Sequence, residues 1–232
     1  MKRRLLDRLL VPARVLAVEH QAPRLKRITL NAPGLEWVPG QHVRLQVAPG
    51  PVDWLVGTLR TYTVWDYHDG SLELMVYLHG DGPGAEWARA TAPGDELMLL
   101  KPQGDFVTAP AAYHLFAGEE TAAAAYGPML HALPADAKVF ASLEVDTPDE
   151  RLPLKLEEEA WSYRHGRSAA SSETLVDAVR ALSLPPEPGM AYLAGEARTI
   201  QMVRRHLVEE RQWPRRNVLT KPFWTPGRKG LD

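Results

Sequence analysis

The hydrophobic rhythm of this chain changes once, near residue 109, and that change constrains the fold more than any other feature. Before it, apolar and polar residues alternate in His42-Val43-Arg44-Leu45-Gln46-Val47, and Leu72, Leu74, Val76 and Leu78 repeat the period of two. Such alternation puts one face of a strand in a core and the other in solvent. Further strand-like pieces lie around 27–30, 60–65 and 97–100. Turn signals separate them at Pro33-Gly34, Pro39-Gly40, Pro49-Gly50-Pro51, Asp69-Gly70 and Pro93-Gly94-Asp95; Asp69-Gly70 suits a tight hairpin. Short strands punctuated in this way predict a small antiparallel β-barrel.

After residue 109 strands and helices take turns. The pattern predicts a strand over 113–117, an alanine-rich helix over 121–133 bent at Pro128, and a strand over 139–145. A strand-like piece near Trp161 and a helix over 173–182 follow. A strand over 191–194 then leads to a helix over 197–211, with Ile200, Val203 and Leu207 on one face, and a last strand over 217–220. Alternation of this kind predicts a parallel sheet of βαβ units. The expected organisation is two domains, a barrel over 1–109 and an α/β domain over 110–232.

Composition removes several chemistries. With no cysteine, the chain has no disulfides, thiolate zinc sites, cysteine nucleophiles or cysteine-ligated iron–sulfur clusters, so an organic cofactor must carry any electrons. A net charge of −2 provides no global basic field for nucleic acid or lipid, and an anionic ligand needs a local cluster. No apolar stretch approaches the ~20 residues of a membrane span, and Asp7 and Arg8 interrupt the basic start before a signal-peptide core can form. The expectation is a cytoplasmic protein with neither membrane span nor nucleic-acid partner. The scattered histidines offer no metal site, and His165 and His206 read as surface or capping residues.

Four segments carry chemistry. In Arg60-Thr61-Tyr62-Thr63-Val64, a strand sets Arg60 and Tyr62 side by side. A guanidinium matches a pyrophosphate bidentately, the phenol ring offers a surface to a flat cofactor, and the threonines supply hydroxyl or backbone donors. The same residues also suit an ordinary half-buried strand. In His79-Gly80-Asp81-Gly82-Pro83-Gly84-Ala85-Glu86-Trp87, glycines let backbone N–H groups approach a ligand ahead of a helix over 85–90. This is either a phosphate cradle or a plain glycine-rich turn. The remaining two are strand–glycine–helix junctions, Ala117-Gly118-Glu119-Glu120-Thr121 and Ala194-Gly195-Glu196-Ala197. They stand where open α/β sheets bind nucleotides. Neither has the G-x-G-x-x-G pattern and both are acidic, so tight strand–helix packing is their plainer reading.

Taken together and in this order, the segments resemble the siderophore-interacting proteins, FAD-dependent ferric-siderophore reductases of the ferredoxin–NADP reductase superfamily. The resemblance runs over nearly the whole chain. It includes Arg60 to Val64, Leu78 through Trp87-Ala88, Gln103-Gly104, Ala117 to Ala122, Ser142-Leu143-Glu144-Val145, Ala194 to Ala197, Arg204-Arg205-His206-Leu207 with Glu210-Arg211, and Phe223-Trp224. It implies a barrel that binds FAD non-covalently and an α/β domain that binds NADPH or NADH, with the flavin ring between the two halves.

In that family Arg60 would meet the FAD pyrophosphate, Tyr62 would pack on the flavin or ribityl chain, and Thr63 would face the flavin N5/O4 edge. His79, Gly82, Gly84, Ala85 and Trp87 would hold the rest of FAD. Gly118, Glu120, Thr121, Gly195 and Glu196 would meet the nicotinamide nucleotide, with Arg164, Arg167 or Arg198 in reach of a 2′-phosphate. Trp224 would lie at the flavin face, beside an anionic ferric siderophore held by Arg44, Lys221, Arg228 and Lys229. Tyr62, Thr63 and Trp224 are then the candidate catalytic residues of a monomeric reductase.

The chain departs from the family pattern where Gly84-Ala85-Glu86 replaces the usual Ala-Ser and arginine, and where Trp65 replaces an arginine. These changes are expected to weaken flavin retention. Two alternatives stay open: a flavin or ferredoxin-type reductase with another acceptor, and a siderophore-binding protein with weak or lost FAD binding.

Overall fold

The computed structural model describes residues 10–48 and 59–228, which divide into two units, Met1–Val107 and Thr108–Asp232. Pro49-Gly50-Pro51 and Lys229 lie outside the described residues.

The first unit is a closed antiparallel barrel in the order β1-β2-β5-β4-β3-β6. Its strands are β1 (Leu10–Ala22), β2 (Leu25–Asn31), β3 (His42–Gln46), β4 (Leu59–His68), β5 (Ser71–Tyr77) and β6 (Glu96–Gln103). The alternation read from sequence becomes burial: Val43 and Leu45 are fully buried while Arg44 between them is half-buried. Ile28, Leu30, Val64, Leu72, Leu74 and Leu99 complete the centre of this core. Asp69 and Gly70 both adopt positive φ, 49° and 81°, and close the β4–β5 hairpin at the pair His68–Ser71. Two consecutive residues of this kind match the right-handed twist of the flanking strands. Closure leaves no unpaired edge.

Helix α1 (Pro83–Ala90) fills the connection from β5 to β6. Buried Lys26 of β2 donates to the carbonyls of Ala88 at 2.8 Å and Arg89 at 3.0 Å. A cation at a helix C-terminus satisfies the free carbonyls and complements the dipole.

The second unit carries a parallel sheet in the order β11-β10-β7-β8-β9. The strands are β7 (His114–Glu119), β8 (Val139–Val145), β9 (Trp161–Tyr163), β10 (Met190–Glu196) and β11 (Val218–Trp224), and the helices are α2 (Glu120–His131), α3 (Glu173–Ala181) and α4 (Ala197–Arg205). Every residue of β7 is buried, as expected for a central parallel strand covered on both faces.

The helix expected over 197–211 is a correction. Regular α geometry ends at Arg205, and His206–Glu210 form a π turn, with Trp213 N–H reaching back to the Leu207 carbonyl at 2.9 Å. The last strand is longer than 217–220, because β11 follows β10 past Pro222 to pair Trp224 with Glu196. Among the described residues, no helix is long and apolar enough to cross a membrane.

Candidate functional site

In the barrel, the two motif segments are clasped together. The Tyr62 hydroxyl on β4 donates to the Gly84 carbonyl in α1 at 3.0 Å, and its ring packs against Trp87 with centroids 5.2 Å apart. A Cβ placed on Gly84 would sit 2.8 Å from the Tyr62 oxygen and 3.4 Å from Arg60 Cγ, so the close approach requires glycine. Burial pushes the Tyr62 phenol well above its ordinary pKa, so it remains a donor. Arg60 Nη1 donates to the Leu59 carbonyl at 2.7 Å.

The start of α1 has the character of an anion site. Its N-cap is Gly82, no side chain caps it, and Pro83 occupies the first turn. The Glu86 N–H closes the first helical bond to the Gly82 carbonyl, which leaves the N–H groups of Gly84 and Ala85 without helical partners at the positive end of the dipole. His79 is exposed, and its ring lies 6.4 Å from that of Tyr77.

The pleat divides the remaining residues. Thr63 alternates with Tyr62 and pairs with His42, while Arg44 of β3 pairs with Thr61. Arg44 and Thr63 therefore share one face of the sheet, and Arg60 and Tyr62 share the other.

In the second unit, Gly118 and Gly195 stand at the carboxyl ends of the adjacent strands β7 and β10. A Cβ on Gly118 would lie 2.2 Å from the Ala194 carbonyl oxygen and 2.6 Å from Ala122 Cβ. On Gly195, which has φ +118°, it would lie 2.5 Å from Glu119 Oε1. These are tight strand–helix contacts.

The glutamates that follow are committed inside the unit. Glu119 accepts from Thr121 N–H at 2.8 Å, from the Thr121 hydroxyl, and from Trp224 Nε1 at 3.0 Å. Glu196 accepts from the N–H groups of Arg198 at 3.0 Å and Thr199 at 2.9 Å, and from the Thr225 hydroxyl at 2.9 Å. Glu120 is gripped by both terminal nitrogens of Arg164, at 2.6 and 2.5 Å. Arg164 also reaches Glu144 at 3.4 Å, and Ser172 donates to Glu144 at 2.5 Å.

These carboxylates differ electrostatically. Burial first, and then the neighbouring charge of Glu120, push Glu119 up to about 7. Burial alone would raise Glu196 too, but the N–H groups of Thr199 and Arg198 and the Thr225 hydroxyl outweigh it and hold it below the ordinary carboxylate value. Burial raises Glu144.

The first-turn N–H groups of Thr121, Arg198 and Thr199 are already taken, so neither junction offers them to a phosphate. Glu120 faces Arg164, which is 4% exposed and bound to two carboxylates. Arg167 and Arg198 are exposed. Lys221 is half-buried on β11 opposite Ala194, and Arg228 is exposed.

Sequence reasoning named Gly118, Glu120, Thr121, Gly195 and Glu196 and passed over Glu119 and Thr225. The signal that could have found Glu119 is the repeated Ala-Gly-Glu at two strand ends.

A family profile described as siderophore-interacting protein matches residues 111–227, and one described as siderophore-interacting FAD-binding domain matches residues 53–106. The chain is 32% identical over 178 residues to the ferric vibriobactin reductase ViuB of Vibrio cholerae, covering 73% of this chain and 65% of that protein. It thus spans about 65% of the length of that relative. Among solved structures it is similar to the siderophore-interacting protein from Acinetobacter baumannii, with a TM-score of 0.82 at 19% identity over 94% of this chain and 91% of that one. A siderophore utilization protein from T. fusca matches with a TM-score of 0.81 at 26% identity, over 96% and 95% of the two chains.

Proposed function

Because this chain belongs to the siderophore-interacting protein family, we propose that it reduces ferric siderophores, holding FAD non-covalently on the barrel and drawing electrons from NADPH or NADH. The observation that carries this reading is the bond from Tyr62 to Gly84. It sets the Arg60 side chain beside a helix start that has free N–H groups and no cap of its own.

That donor set suits a dinucleotide. Arg60 and the Gly84 and Ala85 N–H groups meet the pyrophosphate, and the Tyr62–Trp87 pair gives an aromatic surface. Gly84 lets the Tyr62 hydroxyl and the Arg60 stem close on the helix start, where a side chain would collide with them. His79, Gly82 and Thr63 complete the expected contacts. Bound FAD supplies the conversion of a two-electron donor into single electrons for iron. Overall, one NAD(P)H reduces two Fe(III) centres to Fe(II) and releases one proton.

The protein's own task is to position and attract. Arg44, Lys221, Arg228 and Lys229 are the cations assigned by the same resemblance to an anionic ferric complex, and positive side chains attract such a substrate despite the net charge of −2. Trp224 and the nicotinamide contacts are assigned by resemblance. Reduction releases the metal because hard anionic oxygen ligands hold Fe(III) far better than Fe(II), which stands low in the divalent affinity order. A cytoplasmic monomer fits this task.

The test is direct. FAD added to the purified chain should give saturable binding, and NADPH or NADH with a ferric catecholate or hydroxamate siderophore should then yield Fe(II) trapped by a ferrous chelator. No flavin binding would end the reading. Flavin bleaching without trapped Fe(II) would move the assignment to another acceptor.

A further inference from the structure

The end of β11 is held by side chains where its backbone ladder fails. β11 is the edge strand, Pro222 has no N–H to donate, and the pairing register with β10 shifts between Gly195 and Glu196. At that point two carboxylates on adjacent strands take over. Glu119 at the end of β7 accepts from the Trp224 indole at 3.0 Å, and Glu196 at the end of β10 accepts from the Thr225 hydroxyl at 2.9 Å. Each carboxylate uses its other oxygen to cap the helix that follows its own strand. A segment far away in sequence is thereby tied to the starts of α2 and α4.

We propose that Glu119 and Glu196 form a two-pronged clasp on the C-terminal segment, in which Glu119 is a positioning residue that releases Trp224 when it takes up a proton. The two prongs differ in what surrounds them. Glu196 has backbone donors from Arg198, Thr199 and Ser171, and these keep it ionised. Glu119 is 1% exposed and faces the carboxylate of Glu120 on α2.

Among the other groups around Glu119, Arg164 offsets part of that repulsion. Tyr126 of α2 is a buried phenol whose hydroxyl is bonded to the Ala117 and Tyr192 carbonyls and the Ala194 N–H. Thr121 and Trp224 are neutral donors, and Gly195 of β10 has no side chain. Arg164, after β9, is the cation whose charge reaches Glu119, and its hydrogen bonds go to Glu120 and Glu144.

As a carboxylate, Glu119 serves two donors on one oxygen, the Thr121 hydroxyl and the Trp224 indole. Protonation removes the charge that strengthens both bonds and turns one oxygen into a donor. Trp224 then loses its charge-assisted bond to Glu119, while Thr225 stays on Glu196. The clasp is independent of the reductase reading. Its bearing on catalysis rests on that reading, which gives Trp224 a place at the flavin.

The test follows the Trp224 indole N–H resonance of the full-length chain, labelled with nitrogen-15 and assigned by Trp224→Phe, from pH 5.5 to 8.5. The resonance should titrate with a midpoint near 7. It should stop titrating in Glu119→Gln and keep titrating in Glu196→Gln. No titration in the parent chain, or an unchanged titration in Glu119→Gln, overturns the proposal. If Trp224→Phe does not fold, loss of one titrating indole resonance in Glu119→Gln decides the question alone. Absent FAD binding with an intact titration would sink the reductase reading and leave the clasp standing. Iron reduction without the titration would do the reverse.

Discussion

Helix α1 begins on Gly82 with a bare first turn, whereas α2 and α4 begin on Glu119 and Glu196, whose carboxylates already accept the first free N–H groups. All three helices follow strands, and all three starts looked from sequence like places for a phosphate. The difference lies in who supplies the anion. At α2 and α4 the chain supplies its own, and the positive end of the dipole is spent on internal cohesion. At α1 no side chain among the described residues caps it, and Arg60 beside it adds positive charge. A strand–glycine–helix junction becomes a ligand site only when its cap position is left empty.

The largest test of this contrast compares two glycines. Gly118→Ala pushes a Cβ to 2.2 Å from the Ala194 carbonyl oxygen, whereas a Cβ on Gly82 meets nothing within 4 Å. Overpacking against backbone costs about 3 kcal/mol, a drop of roughly 6–12 °C in Tm for a chain of this size. Gly82→Ala should leave Tm within about 1 °C on the same scale. Equal melting temperatures for the two variants would erase the distinction.

Arg60→Ala comes next. A charge-assisted phosphate bond contributes about 1.5–3 kcal/mol, so FAD affinity should fall on the order of 10- to 100-fold by flavin titration. Tm of the flavin-free chain should hardly move.

The third prediction concerns pH. Glu119 ionises near 7 when folded and near 4.5 when unfolded, so the unfolded chain loses its proton first. Between these values rising pH lowers stability, and above 7 the full penalty, about 3 kcal/mol, is present. Glu119→Gln should therefore raise Tm more at pH 8 than at pH 5. Glu196 has the opposite sign: its lowered pKa gives a stabilisation present above the unfolded value and lost as pH falls through the folded one. Glu196→Gln should destabilise at pH 8, and a Tm difference of the same sign for both variants would break the pairing.

The smallest effect sharpens the comparison by converting one kind of start into the other. Gly82→Asp gives α1 a carboxylate cap, which should steady the helix by only about 0.3 kcal/mol and weaken FAD binding roughly fivefold through repulsion at about 1 kcal/mol. An aspartate that left flavin affinity unchanged would show that the phosphate does not use this helix.

The sequence made the two-unit architecture legible because alternating strands dominate the first unit while strands and helices take turns in the second. The exception is β1, a 13-residue strand that the alternation did not reveal. Its pairing with β2 shifts register between Val15 and Ala17 and again between His20 and Ala22, so the apolar positions slip from one face to the other. Exposed Leu16 adds to the blur. The Arg60 and Gly84 segments were readable as motifs because strand and helix geometry set each locally. The roles of Glu119 and Arg164 were not, because their partners come from elsewhere in the fold: Trp224 lies 105 residues from Glu119, and Glu120 lies 44 residues from Arg164. Local sequence reports which residue types are present, while the sheet order decides which of them cancel.

Lys26 has a further consequence through its grip on the far end of α1. With Ala88 and Arg89 tied to β2 and Gly84 tied to β4, this short helix is tethered at both extremities. On the proposed reading, this turn would need no folding step on arrival of the cofactor, and loading would resemble a key entering a finished lock, with little ordering entropy to overcome.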